Sequence, residues 1–142
     1  MQFSTFRRLR LLSFTVLIGY GIALAIGTHI PLEVPVDLGN RGDKWLHFFA
    51  YLGLSMLLST TLSWGRQATW SLLAMLLVGI AMYAAVEEVT QIPFNRTADV
   101  EDWVMDVAGA LVGLCLTAAV WRWGPTWLST IESTKVAVVS AS

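Results

Sequence analysis

The stretch Trp103–Trp123, WVMDVAGALVGLCLTAAVWRW, decides the fold class of this chain. Its 21 residues are apolar or small apart from one charged residue near each end, Asp106 and Arg122. A helix needs about 20 apolar residues to cross the hydrocarbon core of a bilayer. Because lipid cannot satisfy open backbone hydrogen-bonding groups, the stretch is predicted to be a transmembrane helix.

Three further apolar runs precede this one, and none contains Asp, Glu, Lys or Arg. They are Leu11–Ile30, Trp45–Leu62 and Ala68–Val86, of 20, 18 and 19 residues. The 142-residue chain is 56% hydrophobic and only 13% charged, against about 25% charged in ordinary globular proteins. The sequence therefore predicts an all-α polytopic membrane protein. A bundle of four transmembrane helices would occupy residues 1–125, and a flexible C-terminal tail residues 126–142.

The first apolar run has a second interpretation, as a cleavable signal peptide. Arg7, Arg8 and Arg10 would form its basic segment, and Ala23-Leu24-Ala25 offers a small-residue cleavage site. The run continues beyond that site to Ile30, which gives it the length of a membrane span. We therefore favour a first helix that is retained.

The distribution of Lys and Arg predicts how the helices are oriented in the membrane. Six basic residues fall on the side that carries both termini, and three fall on the other side. The six are Arg7, Arg8, Arg10, Arg66, Arg122 and Lys135, and the three are Arg41, Lys44 and Arg96. We therefore expect a multi-pass protein of the cell (inner) membrane with both termini cytoplasmic and most acids at the outer face.

The overall charge and the cysteine content exclude several other classes of protein. The net charge is −1 and no basic, aromatic-rich patch is present, so we expect no nucleic-acid binding. The single cysteine, Cys115, allows neither an internal disulfide nor a cysteine-based metal site. The lipid bilayer is the partner that the composition predicts.

The second apolar run begins with a regular series of polar side chains. Asp43, His47 and Tyr51 follow one another at intervals of four residues and therefore share one helix face. A plainer alternative stays open for two of them. Asp43 can be a first-turn acid favoured by the helix dipole, and His47 can satisfy a local hydrogen bond.

Two adjacent acids, Glu87 and Glu88, close the third run, although acids are disfavoured at helix C-termini. A carboxylate at membrane depth is costly unless it is paired or protonated. Glu88 shares a helix face with Gln91 and is expected to point into the bundle, although it can also mark the water boundary. Glu87 points about 100° away from it, and we expect Glu87 to mark that boundary.

The fourth helix carries a polar stripe. Asp99, Asp102, Asp106, Gly109 and Gly113 are spaced by 3, 4, 3 and 4 residues, which places them on one side of a helix. The two glycines let a neighbouring backbone approach closely. The stripe is therefore predicted to face protein rather than lipid, and to carry Asp106 about one turn into the span.

These side chains are predicted to converge at the outer end of the bundle. The converging residues are His47, Glu88, Gln91, Arg96, Asp102 and Asp106. Arg96 can pair with the acids or bind a phosphate or carboxylate through two hydrogen bonds. A divalent cation, protonated carboxyl groups, or Arg96 and Lys44 as counterions would each compensate the acidic charge. One histidine among carboxylates suits Mg²⁺ or Mn²⁺ better than structural zinc, but the residues alone leave metal and cofactor unknown.

The same residues resemble the pattern of the VanZ-like membrane proteins, a family named for a member linked to resistance to the glycopeptide teicoplanin. The family pattern D-K-x-x-H-x-x-x-Y is matched by Asp43, Lys44, His47 and Tyr51, and E-x-x-Q by Glu88 and Gln91. The pattern R-x-x-D-x-x-D-x-x-x-N-x-x-G-x-x-x-G is matched by Arg96, Asp99, Asp102, Gly109 and Gly113. The chain departs from it at Asp106, where the family usually has Asn. The resemblance covers about residues 10–120 and implies a small helical membrane domain with a role in the cell envelope.

Our first hypothesis is that the chain binds or acts on an envelope component, such as a lipid-linked, phosphate-bearing or glycopeptide-related ligand. The candidate catalytic residues are His47, Glu88, Asp102 and Asp106. The candidate binding residues are Lys44, Tyr51, Gln91, Arg96, Asp43 and Asp99.

The alternative is a non-catalytic accessory or binding protein whose polar cluster is structural. It stays open because the sequence holds no nucleophile elbow, phosphate loop or HExxH motif. A transporter is a weaker third hypothesis, because four helices are few for a pathway. The sequence decides neither enzymatic activity nor oligomeric state.

Overall fold

The structure, a computed structural model, describes the backbone of residues 2–29, 42–63, 68–94 and 97–140, and the side chains of these residues except 2–7, 9 and 124–140. The helices are α1 (Gln2–His29), α2 (Gly42–Ser63), α3 (Trp70–Gln91) and α4 (Val100–Ser140). A short 3₁₀ turn, Ile92–Phe94, follows α3. Each of the four helices contains a segment long and apolar enough to cross a membrane. The predicted all-α fold with four transmembrane helices is therefore confirmed.

The helices extend beyond the apolar runs that predict them. The membrane-crossing part of α1 is Arg10–His29, and the helical backbone before it reaches back to Gln2. The crossing part of α4 is Val100–Trp123, and its helical backbone continues to Ser140. Residues 126–140 thus continue α4, and the flexibility predicted for them stays a prediction.

Two side-chain caps fix where α3 and α4 begin. The Thr69 hydroxyl accepts a hydrogen bond from the backbone N–H of Leu72 at 3.2 Å. The Asp99 carboxylate accepts one from the backbone N–H of Glu101 at 2.8 Å. Such caps satisfy backbone donors that the first helical turn leaves open. The cap at Asp99 places Asp102 in the first turn of α4.

Helices α2 and α4 approach each other closely along the glycine stripe. A Cβ atom built on Gly109 would lie 2.9 Å from the carbonyl carbon of Phe48. One built on Gly113 would lie 2.5 Å from the carbonyl oxygen of Leu52. Backbone atoms cannot move aside at little cost, so only glycine fits at these two positions. The prediction that this stripe faces protein is confirmed.

The bundle exposes many large apolar side chains and buries polar side chains beside a small apolar core that includes Ile80. Large apolar residues such as Ile18, Leu46, Met82 and Val120 are exposed on its surface, as expected of a surface that meets lipid. The ends of α1 and α3 meet the beginnings of α2 and α4, because His29 contacts Thr90 and Lys44 contacts Asp99. We call this end of the bundle the polar end.

Candidate functional site

The deepest acid at the polar end is Asp106, one turn beyond Asp102 on α4. It is 0% exposed, and its Oδ1 lies 3.0 Å from Nδ1 of His47, which is also buried. Because a carboxylate only accepts hydrogen bonds, the imidazole Nδ1–H donates in this pair. The pair joins α2 to α4 directly above the glycine contact.

Glu88 and Gln91 bring α3 to the same end. Glu88 Oε2 accepts the backbone N–H of Asp99 at 2.9 Å, so this carboxylate holds the start of α4. Its other oxygen, Oε1, is buried and has no hydrogen-bond partner among the described residues. Gln91 is 2% exposed, and its amide nitrogen likewise has no partner there. The water-boundary interpretation of Glu88 is therefore wrong, because the side chain points into the bundle.

His47, Glu88 and Asp106 form a compact group, which we call the buried triad. Each offers one potential ligand atom, and these atoms all lie within 4.8 Å of one another. All three side chains are buried, and they come from α2, α3 and α4. The second oxygen of Asp106, Oδ2, is buried without a hydrogen-bond partner among the described residues.

A second acidic group, which we call the rim cluster, lies nearer the surface. The Lys44 ammonium lies 3.1 Å from Asp99, 2.8 Å from Glu101 and 3.4 Å from Asp102, measured to carboxylate oxygens. The pKa of Asp99 is lowered because its carboxylate accepts the Glu101 backbone N–H and lies against Lys44. Lys44 thus neutralises acids of α4, and its role in holding an anionic ligand stays a prediction.

Two of the predicted site residues lie at the margins of this arrangement. Asp43 is exposed in the first turn of α2, and one carboxylate oxygen lies within 4.8 Å of potential ligand atoms of His47 and Asp102. Arg96, predicted to be the counterion of the site, lies outside the described residues. The structure therefore brings together every predicted site residue that it describes, while their catalytic and binding roles stay predictions.

Sequence reasoning missed Glu87 as part of the polar interior. This side chain is 3% exposed, accepts a hydrogen bond from the Tyr51 hydroxyl, and accepts another from Thr28 Oγ1 at 2.7 Å. The expectation that Glu87 marks the water boundary is wrong. Both acids at the end of α3 face inward, because Glu88 points to α4 while Glu87 points to α1 and α2. One residue in the sequence could have indicated this burial: Thr28, near the end of the first apolar run, offers a hydroxyl that can donate to a buried carboxylate.

The polar end contains more buried acid than base among the described residues. Its buried carboxyl groups are Glu87, Glu88, Asp102 and Asp106. Lys44 reaches Asp102, and His47 reaches Asp106. Buried carboxylates in a membrane domain need a proton, a cation or strong hydrogen bonds. The arrangement can therefore hold and transfer protons or bind a cation.

These features define a polytopic membrane protein whose four helices bury a cluster of polar, ionisable side chains at one end. The family model of VanZ/LLP1 matches residues 2–122, which is most of the chain, and the protein belongs to that family. The resemblance seen in the sequence motifs is thus confirmed. No curated protein and no solved structure matches the chain significantly.

Proposed function

We propose that this VanZ/LLP1 protein binds and acts on an envelope component that joins a lipid chain to an anionic headgroup. The headgroup would sit at the polar end and the chain in the membrane. The observation that carries the proposal is a groove that leads from the bundle surface to His47.

The groove lies between α1 and α2 and has a volume of about 310 Å³. It runs from Tyr20 to Thr28 along α1, which is about 12 Å of helix. Its exposed wall includes Gly27 and Leu46, and His47 lies at its polar end. A lipid chain fits apolar walls of this length, and its headgroup would then meet ionisable side chains.

His47 is the candidate proton-transfer residue of this site. The ordinary pKa of imidazole lies near neutrality, which suits general acid–base chemistry. Asp106 fixes the orientation of the ring through the 3.0 Å hydrogen bond to Nδ1. Ionisable residues inside a membrane span are functional candidates by default, because their burial is costly.

The same proposal includes the orientation of the protein. The basic residues favour an inner-membrane protein with both termini cytoplasmic, so the polar end would face the envelope side. A teicoplanin-type resistance role fits a ligand on that side. The cysteine of an Asp43→Cys, Cys115→Ser variant should react with a membrane-impermeant maleimide in intact cells. Labelling only after cell lysis would contradict this orientation.

The groove can be tested with two matched glycine substitutions on α1. A Cβ at Gly27 or at Gly19 would meet nothing within 4 Å, so both positions tolerate a side chain, but only Gly27 lines the groove. Gly27→Leu should lose co-purified lipid and any glycopeptide resistance conferred by the wild type, while protein level and detergent stability stay normal. We expect the same of His47→Gln, because glutamine keeps an N–H donor for Asp106. Gly19→Leu should behave as wild type. Equal lipid content and resistance in Gly27→Leu and wild type would contradict the proposal.

The second candidate function is a non-catalytic accessory protein whose polar network is structural. The observation that favours it is Glu87, which ties α1 and α2 to α3 through the hydroxyls of Thr28 and Tyr51. If Glu87→Gln and His47→Gln both melt early and no variant separates stability from phenotype, this candidate is the better one.

A further inference from the structure

We infer that the buried triad, His47, Glu88 and Asp106, is a binding site for one divalent transition-metal ion. The inference does not depend on the lipid ligand proposed above, but it changes one role: while the ion is bound, His47 is its ligand and not the proton-transfer residue. It follows from the geometry of the three side chains, from unpartnered polar atoms, and from the distribution of charge at the polar end.

The geometry suits a single ion. One ligand atom from each triad residue lies within 4.8 Å of the other two. Ligands bound to one cation at about 2.0–2.3 Å lie up to about 4.5 Å apart. The ion would bind His47 Nε2, or would replace the proton between His47 Nδ1 and Asp106 Oδ1. Small side-chain rotations then close the triad around it. Three helices supply the ligands, so the site is held by the packing of the bundle rather than by a loop.

Unpartnered buried atoms are independent evidence for a bound ion. Glu88 Oε1 and Asp106 Oδ2 are buried without hydrogen-bond partners among the described residues, and so is the amide nitrogen of Gln91. Unpaired buried polar groups are costly, and charged ones especially so. A cation would satisfy the two carboxylate oxygens. An oxygen ligand on that cation, such as a water, would accept the Gln91 N–H, or the amide would turn its oxygen to the ion.

The distribution of charge separates this triad from the acids around it. Lys44 lies against Asp99, Glu101 and Asp102 of the rim cluster, so these acids already have a cation. Asp43, His47 and Asp102 form a second possible ligand group, but Asp43 is exposed and Asp102 lies against Lys44. The triad holds two carboxylates against one imidazole. Counting only the residues that the structure describes, it is the deeper and less compensated of the two groups.

The ligand types indicate the class of ion. Imidazole favours first-row transition ions, whereas Mg²⁺ and Ca²⁺ prefer oxygen ligands alone. The one cysteine of the chain, Cys115, is exposed on α4 nine positions after Asp106, so a thiolate does not complete the set. Mn²⁺ fits one nitrogen and two carboxylate oxygens best. Zn²⁺ is the second candidate, because catalytic zinc sites, unlike structural ones, combine histidine with carboxylate. An ion here would also carry the positive charge that an anionic headgroup needs.

The test uses the full-length protein in detergent, stripped with a chelator and titrated with MnCl₂ or ZnCl₂. We expect about one tightly bound ion per chain in the wild type. Glu88→Gln and Asp106→Asn should weaken binding by about tenfold or more. Glu101→Gln removes a carboxylate from the exposed rim and should leave binding unchanged. No stoichiometric binding to the wild type, or an equal loss in Glu101→Gln, would overturn the inference.

A spectroscopic readout keeps the inference testable if the triad variants fail to fold. The chain has two histidines, His29 and His47. Mn²⁺ bound to the wild type should show electron-spin-echo modulation from imidazole nitrogen, and His29→Gln should retain it. Wild-type protein whose bound Mn²⁺ lacks this modulation would overturn the inference. His47→Gln should lose the modulation if it folds.

Discussion

The rim cluster and the buried triad are two acidic groups, one helical turn apart on α4, with different physical characters. In the rim cluster, Lys44 lies against Asp99, Glu101 and Asp102, and Asp99 and Glu101 are substantially exposed. In the triad, the carboxylates of Glu88 and Asp106 are buried, and each has an oxygen without a partner among the described residues. Water can reach Asp99 and Glu101, and Lys44 compensates the buried Asp102, whereas only protein, protons or a bound ion can stabilise the triad acids.

This difference indicates separate roles for groups that look alike in the sequence. Exposed ion pairs contribute little to stability, and salt screens them. The rim cluster fits a role in starting α4, because Asp99 is also the residue that caps this helix. An uncompensated buried carboxylate is costly, so the triad fits a site that was retained for a ligand or for proton transfer.

Disrupting the close contact between α2 and α4, which positions both acidic groups, should destabilise the fold more than any other change considered. Gly109→Ala would push a methyl group against the Phe48 backbone and should lower the free energy of unfolding by about 2–3 kcal/mol. Gly79→Ala is the matched control, since nothing lies within 4 Å of a Cβ there. It should be neutral or stabilising by up to about 1 kcal/mol. Unfolding in detergent measures both, and equal stabilities would show that α2 and α4 are not in close contact.

A smaller effect should distinguish the two acidic groups themselves. His47→Ala leaves Asp106 buried without its donor and should cost about 2 kcal/mol of unfolding free energy in chelator-treated protein. Lys44→Ala leaves Asp99 and Glu101 within reach of water and only Asp102 buried without its cation, so it should change the melting temperature less. Adding salt should reduce the effect of Lys44→Ala and leave that of His47→Ala unchanged. If Lys44→Ala lowered stability more than His47→Ala, the rim cluster and not the buried triad would be the group that depends on its partner.

The features that the sequence predicts well are those set by local spacing. The four spans follow from apolar runs of 18 to 21 residues, because a membrane imposes that length on any helix that crosses it. The stripe of Asp102, Asp106, Gly109 and Gly113 follows from helical periodicity, and the structure buries all four residues. Family membership follows from the same residues.

The features that the sequence does not predict depend on how helices are arranged around one another. Glu87 and Glu88 lie about 100° apart on α3, so a single interface would bury only one of them. Both are buried because α4 packs on one side of α3 while Thr28 and Tyr51 approach from another. The groove beside His47 likewise depends on how α1 and α2 are arranged, so the periodicity within either helix does not predict it.

The charge of Asp99 in the rim cluster should make a small, pH-dependent contribution to stability. The pKa of Asp99 is lowered in the folded protein by the Glu101 N–H and by Lys44, and the unfolded value is about 3.9. A group with a lowered folded pKa stabilises the fold above its unfolded pKa, and loses that contribution as pH falls through its folded pKa. Asn at position 99 can still cap a helix, so Asp99→Asn isolates the charge.

The wild type should melt slightly higher than Asp99→Asn near neutral pH, and this difference in melting temperature should close below about pH 4 and shrink in salt. A gap that is constant with pH and salt would mean that Asp99 contributes through shape alone, and that the rim acids resemble the buried ones more than their exposure suggests.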